Sequence, residues 1–93
     1  MRERDIEKKI SQDVTRRGGL CLKLILFNLA GWPDRTILLP LPDRCRILFM
    51  EVKRDDGKLS KQQEFWIAAL RRLKAEVYVV RSYEEAVEIL DKK

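Results

Sequence analysis

The spacing of hydrophobic residues predicts a helix at the start of the chain. Ile6, Ile10 and Val14 recur every four residues, which is typical of the apolar face of an amphipathic helix. Two arginines follow, where their charge complements the negative end of the helix dipole, and the glycine pair at 18–19 favours a helix end. The first element is therefore predicted to be a helix that ends before residue 18.

An alternating pattern begins at Leu20 and predicts a strand. The alternation assigns side chains to two faces, with Leu20, Leu22, Leu24 and Leu26 on one and Cys21, Lys23 and Ile25 on the other. A strand of this kind pairs with a neighbour along its length, so we expect a second strand nearby in the sequence.

Two further strands are predicted before the middle of the chain. Residues 28–33 contain a glycine and a proline and are expected to form a loop, after which a strand over 35–39 ends at a proline. A Leu-Pro-Asp-Arg turn at 41–44 leads into a third strand over 46–53, which is rich in apolar residues until it reaches Glu51.

Two capping-box spacings predict the remaining helices. A Ser-x-x-Gln spacing at 60–63 opens a helix expected to run to about Lys74, and a Ser-x-x-Glu spacing at 82–85 opens the last helix. Between them, the β-branched segment 77–80 predicts a short strand. The apolar residues assigned to the two helix interfaces are Trp66, Ala69, Leu70 and Leu73 in the first helix, and Val87 and Leu90 in the last.

This order of elements predicts a small mixed α/β sheet with flanking helices, in the order αβββαβα. Short connections make the first three strands antiparallel, whereas a helical crossover makes the third and fourth strands parallel. At 93 residues, the chain is expected to form one domain over 1–93 with a marginal core, which self-association would help to stabilise.

The charge of the chain suits a polyanionic partner. The net charge is +5 and the pI is about 9.5, and cationic side chains release counterions when they meet phosphates. However, the fifteen acidic residues are interspersed with the twenty basic ones, so solvated helix faces explain the composition equally well.

The cysteines and the apolar stretches favour a cytoplasmic protein. Cys21 and Cys45 lie in apolar stretches without metal-ligand spacing, which predicts buried free thiols in a reducing compartment. The start of the chain lacks the apolar core of a signal peptide, and the longest apolar stretch, 20–30, is short and interrupted by polar residues, so no membrane association is expected. The chain also has no histidine, which excludes imidazole bases, histidine metal ligands and histidine-dependent triads.

The predicted hairpin brings chemically active side chains together. If its turn is centred between Pro42 and Asp43, antiparallel partners have numbers that sum to about 85, so Asp34 lies opposite Glu51. Lys53 lies two residues further along the strand and shares the face of Glu51. One end of the hairpin is therefore predicted to carry two carboxylates and an amine.

This cluster suits the hydrolysis of phosphodiesters. Carboxylate oxygens hold Mg²⁺ or Mn²⁺, which neutralises phosphate charge and makes a bound water more acidic, while Lys53 can orient that water or stabilise the transition state. Glu51 interrupts an apolar strand, where an acid costs several kcal/mol unless it has a partner such as a cation. The alternative is structural, in which these residues form only ion pairs on one strand face.

The motifs resemble those of a nuclease superfamily. Pro-Asp before one strand, followed by a strand that ends in Glu-x-Lys, is similar to the signature of the PD-(D/E)xK nucleases. The fuller pattern resembles the virus-type replication-repair nuclease (VRR-NUC) family over nearly the whole chain. The matching positions are Glu7, Gly18-Gly19, Lys23, and the segments 31–35 (Gly-Trp-Pro-Asp-Arg), 50–54 (Met-Glu-Val-Lys-Arg) and 59–63 (Leu-Ser-Lys-Gln-Gln).

The resemblance implies roles for the central residues. Asp34 and Glu51 would bind Mg²⁺ or Mn²⁺, the backbone carbonyl of Val52 would add a ligand, and Lys53 would act on the water or the transition state. The resemblance also implies a PD-(D/E)xK restriction-endonuclease-like core.

The outer residues have competing explanations. Glu7 and Gln63 match outer members of the family's site, but Glu7 is also explained as a solvated helix acid and Gln63 as part of a capping box. Lys23 matches a first-strand lysine, although strand lysines are commonly solvated. Contacts to the DNA backbone are expected from Lys23, Arg54, Lys58 and Lys61, all of which are also explained as ordinary surface charges.

The resemblance therefore implies a metal-dependent DNA endonuclease. Stand-alone members of the family imply a homodimer that acts on branched DNA such as four-way (Holliday) junctions, with a role in DNA repair and a phage or bacterial origin. One alternative is a monomeric structure-specific or nicking nuclease, alone or within a larger complex. Another is a non-catalytic nucleic-acid-binding module of the same fold.

Overall fold

A four-stranded mixed sheet with helices on both faces organises the protein. The structure is a computed structural model, and it describes residues 1–92. The elements, in chain order, are α1 (Glu3–Arg16), β1 (Leu20–Leu22), β2 (Arg35–Pro40), β3 (Cys45–Val52), α2 (Lys61–Arg72), β4 (Glu76–Val80) and α3 (Tyr83–Asp91). None of the helices within residues 1–92 is long and apolar enough to cross a membrane.

The topology of the sheet confirms the predicted fold class. The strands lie in the order β1-β2-β3-β4, with antiparallel pairing among the first three and parallel pairing between β3 and β4. Because parallel strands need a crossover, α2 spans the connection between β3 and β4. The order αβββαβα and the mixed sheet are as predicted.

The register of the central hairpin is also as predicted. Arg35 pairs with Met50 at one end of the ladder, and Pro40 pairs with Cys45 at the other, so every pair sums to 85. Since residues in register project to the same side of an antiparallel pair, the side chains of Asp34 and Glu51 belong to one face of the sheet.

The two faces of the sheet carry cores of different size. Alternate residues of β2 and β3, such as Ile37 and Met50, pack against α1 and α3 in the larger core. Phe49 points to the opposite face and packs in the smaller core beneath α2 with Ile67 and Val77. Glu51 shares the face of Phe49, so it points towards α2.

The first strand is shorter than predicted. β1 ends at Leu22, whose partner is Thr36, and β2 itself begins only one residue earlier, at Arg35. Beyond this point the neighbouring strand offers no backbone partner, so the alternation of apolar residues after Leu22 does not continue as a strand. Side-chain periodicity predicted the element, but its length depends on the partner.

The buried faces of two helices differ from the predicted stripes. In α2, Ile67 and Leu70 are buried, whereas Leu73 is 77% exposed because the helix ends at Arg72 and the chain turns away from the sheet. In α3, Ala86 is fully buried in place of Val87, since this side of the helix lies against α1.

One of the two cysteines is not buried as predicted. Both thiols are free, but Cys45 is exposed, while Cys21 is half-buried against the larger core. Cys45 begins β3 on the same side as Phe49, and α2 does not reach this end of the hairpin. Its neighbour on that face, Ile47, is also exposed.

We expect Arg46→Ala to lower the free energy of unfolding by about 2–3 kcal/mol, because the change leaves polar partners buried without a donor. Arg46 is 3% exposed, donates to both carboxylate oxygens of Glu76, and also binds the carbonyl oxygens of Ile89 and Lys92 near the end of α3. Urea denaturation measures the loss. Arg44→Ala, at an exposed position beside it, is the control and should change stability by less than about 0.5 kcal/mol.

Candidate active site

Asp34 lies where the loop after β1 enters β2. It follows the buried Pro33, and its Oδ2 accepts a hydrogen bond from the backbone N–H of Val52 at 2.9 Å. The side chain thus takes the place of a backbone acceptor, one position beyond the last pair of the β2–β3 ladder. This bond fixes the carboxylate at the end of β3.

Glu51 is the most deeply buried acid of this region. It is 1% exposed, and its Oε2 accepts a hydrogen bond from Gln63 Nε2 at 3.0 Å. Its other oxygen, Oε1, is buried without any hydrogen-bond partner. Burial, and then the neighbouring charge of Asp34, raise the pKa of Glu51 to about 8, while Lys53 partly opposes the shift.

Lys53 is held by its backbone at the same end of the sheet. Its N–H donates to the carbonyl oxygen of Val80 at 2.9 Å, which extends the parallel pairing of β3 and β4 by one residue. Its half-buried side chain acts electrostatically on Glu51, in agreement with the predicted shared face. Asp34, Glu51 and Lys53 therefore meet as the hairpin register predicted.

Gln63 fills both of the roles considered from the sequence. Its backbone N–H binds Ser60 Oγ at 3.1 Å, and its side-chain Oε1 accepts from the backbone N–H of Ser60 at 2.8 Å, which completes a capping box. The amide nitrogen of the same side chain is then free to bind Glu51. The start of α2 and the orientation of Glu51 are thereby coupled.

We expect Gly31→Ala to reduce both stability and activity, because Gly31 packs directly on the first turn of α2. A Cβ there would lie 2.5 Å from the carbonyl carbon of Gln62 and 2.7 Å from the amide nitrogen of Gln63. The helix start would shift away from Glu51, at a cost of about 2 kcal/mol or more.

Gly18→Ala is the matched control for this change. Gly18 also has a positive φ, of 83° against 91° for Gly31, but its Cβ would meet only Pro40, at an ordinary 3.6 Å. Thermal unfolding and a cleavage assay on both variants separate backbone strain from displacement of α2. Equal losses of activity in the two variants would contradict the coupling.

Glu7 lies in a different set of contacts from the central acids. It is buried on α1, where Arg35 Nε donates to its Oε1 at 2.8 Å and Lys23 Nζ lies 3.9 Å from the same oxygen. Within residues 1–92, no group of three or more acidic or cysteine side chains is arranged to hold a metal ion. The structure thus brings Asp34 and Glu51 together and places Glu7 with two cations.

The candidate DNA contacts are distributed around the site. Lys58 and Lys61 are exposed, and Lys61 begins α2 two residues before Gln63. Arg54 is exposed and pairs with Asp56 at 3.1 Å. Lys23 is largely exposed despite its proximity to Glu7.

Sequence reasoning missed Arg81, which follows β4. Its Nη1 donates to the carbonyl oxygens of Arg54 at 3.0 Å and Gly57 at 2.6 Å, so it fixes the loop that leaves Lys53. An arginine after a short strand has no local signal for this role, because its acceptors lie more than twenty residues earlier.

Sequence reasoning also missed a set of buried polar atoms around Phe49. Within residues 1–92, the buried side-chain atoms without a partner are Trp32 Nε1, Thr36 Oγ1 and Glu51 Oε1. Thr36 pairs with Phe49 across the ladder, Glu51 lies two residues further on the same face, and the Trp32 ring centre is 5.7 Å from that of Phe49. The predicted anchoring role of Trp32 is confirmed by its edge contacts with Phe49 and Trp66.

The central acids fit a hard divalent cation. Their donors are oxygen atoms only, and the unpartnered Oε1 of Glu51 adjoins a second carboxylate, that of Asp34. Two like charges at one buried position repel each other unless a proton or a cation lies between them. A nearby lysine supplies the positive charge that a phosphate would meet.

Comparison with known proteins agrees with this geometry. A solved structure described as a VRR_NUC domain superposes with a TM-score of 0.85 at 29% sequence identity, covering 96% of this chain and 94% of that chain. No curated protein matches the chain. The family model of the VRR-NUC domain matches residues 3–84, and the chain therefore belongs to this family of nuclease domains.

Proposed function

We propose that the protein is a metal-dependent endonuclease that hydrolyses phosphodiester bonds in DNA with Mg²⁺ or Mn²⁺. The observation that carries this proposal is the buried, unpartnered Oε1 of Glu51, which lies beside Asp34 and on the face of Lys53. A buried carboxylate oxygen without a donor costs free energy that a cation would recover.

In this proposal the residues have separate tasks. Asp34, Glu51 and the backbone carbonyl of Val52 hold the ion, which supplies charge neutralisation at the phosphate and a more acidic water. Gln63 keeps Glu51 in one orientation through its amide N–H. Lys53 orients the attacking water or stabilises the negative charge that develops on the phosphate oxygens. Attack breaks one P–O bond and leaves a phosphate and a hydroxyl end.

Glu7 enters the proposal as an outer residue. Because Arg35 and Lys23 already neutralise it, we assign to it the orientation of cations near the phosphate rather than a direct bond to the first ion. Lys23, Arg54, Lys58 and Lys61 are proposed to contact the DNA backbone, where their charges act without reading sequence.

The proposed substrate is branched DNA, cleaved by a homodimer. A two-fold dimer carries two active sites, which suits a symmetric substrate such as a four-way junction. The alternative is a monomeric structure-specific or nicking nuclease. The two differ in oligomeric state and in whether paired strands of a junction are cut together.

The test is incubation of the protein with labelled linear, flapped and four-way junction DNA, in Mn²⁺ or with a chelator. We expect cutting only with the metal and fastest on the junction. Metal-dependent cutting that is equal on all three substrates would support the simpler nuclease. DNA binding without cutting of any substrate would overturn the enzyme and favour a binding module.

A further inference from the structure

An unusual amount of apolar surface is exposed around β1. Ile25 and Phe27, in the segment after this strand, are 84% and 90% exposed. Four further large apolar side chains nearby are also open to solvent. We define the β1 apolar surface by its six residues: Leu20, Leu22, Leu24, Ile25, Phe27 and Ile47.

The fold explains why the strand part of this surface is uncovered. Leu20 pairs with Leu38, which pairs in turn with Ile47, so the three side chains form a row across β1, β2 and β3 on the face that carries α2. That helix packs over β4, at the other side of the sheet. No element within residues 1–92 covers the β1 side.

The size of the surface exceeds what a monomer usually exposes. At roughly 200 Å² for a fully exposed large side chain, the six residues present about 700 Å², against about 300–600 Å² for the largest patch of a typical monomer. A standard protein interface buries about 800 Å² on each partner. The β1 apolar surface is therefore close to one half of such an interface.

The chemistry of the surface favours protein over nucleic acid. Segment 20–30 contains a single charged residue, Lys23, which lies towards Glu7, whereas a DNA backbone requires cations. β1 is also an edge strand, whose outer backbone groups are open to pairing. An edge strand flanked by apolar side chains is complementary to itself when a two-fold axis places two copies antiparallel.

We propose that the β1 apolar surface is the contact through which two copies of this chain associate. The inference rests on the proposed homodimer and deepens it by assigning the surface. Leu22 pairs with Thr36, two residues from Asp34, so the contact adjoins the candidate active site. The geometry of this contact thus sets the spacing between the two sites of a dimer.

The test measures mass in solution by light scattering and sedimentation equilibrium. The variant is Ile25→Asp/Phe27→Asp, because these exposed side chains contribute little to the core and the change spares folding. The control is Leu73→Asp, which places the same charge on an exposed apolar residue at the end of α2. Circular dichroism verifies the fold of each protein.

We expect dimers from the unchanged protein and the control, and at least a 100-fold weaker dimer from the double variant. An unchanged protein that is monomeric at micromolar concentrations, or a double variant that stays dimeric, would overturn the inference. Mn²⁺-dependent cleavage is measured separately. A monomer that cuts removes the interface but keeps the nuclease, and a dimer that does not cut does the reverse.

Discussion

Replacement of Asp34, Glu51 or Lys53 is expected to lower metal-dependent cleavage by about 10³-fold or more while DNA binding persists. The two acids would lose the oxygens that hold the ion, and the lysine would lose the charge that meets the phosphate. Asp34→Asn, Glu51→Gln and Lys53→Met suit the test, because Asp34→Asn retains an acceptor for the N–H of Val52.

Single-turnover cleavage and a DNA-binding assay on the same preparations measure the effect. Lys58→Met is the control for Lys53→Met, since it removes the same charge from an exposed position in the following loop. We expect this control to weaken DNA binding slightly and to retain cleavage. Undiminished cutting by all three site variants would exclude the proposed site.

The central site could be predicted from the sequence because it depends on one local turn. The Leu-Pro-Asp-Arg segment at 41–44 closes a tight hairpin, and the register of a tight hairpin follows from its turn. Once the sum of 85 is known, Asp34 and Glu51 must face each other. The capping box at Ser60 is equally local, so the start of α2 was also predictable.

The outer site could not be predicted, because its contacts join distant segments. Glu7 and Arg35 are separated by 28 residues, and Arg81 reaches carbonyl oxygens more than twenty residues away. Such contacts depend on how helices pack on the sheet, which periodicity does not specify. The end of β1 at Leu22 is a similar case, since it is set by where β2 begins.

Glu51→Gln is expected to stabilise the metal-free protein at neutral and higher pH, although it removes a proposed metal ligand. Burial raises the pKa of Glu51 from 4.5 to about 8, so the folded state holds this proton more tightly than the unfolded chain does. Stability from the protonated form is complete below pH 4.5 and is lost as the pH rises to 8. Glutamine does not ionise, so the variant keeps it.

Urea denaturation from pH 5 to 8, in the presence of a chelator, measures this effect. We expect Glu51→Gln to exceed the unchanged protein by about 2–4 kcal/mol at pH 8, with a gap that narrows towards pH 5. Glu64→Gln, at an exposed position in the first turn of α2, is the control and should follow the unchanged protein.

Added Mn²⁺ gives the same experiment a second measurement, independent of cleavage. The ion should stabilise the unchanged protein and Glu64→Gln but not Glu51→Gln, because only a carboxylate at position 51 gains a cation as partner. A Glu51→Gln protein that is less stable than the unchanged one at pH 8 would show that the carboxylate is already satisfied without metal. The buried Oε1 would then no longer support a metal site.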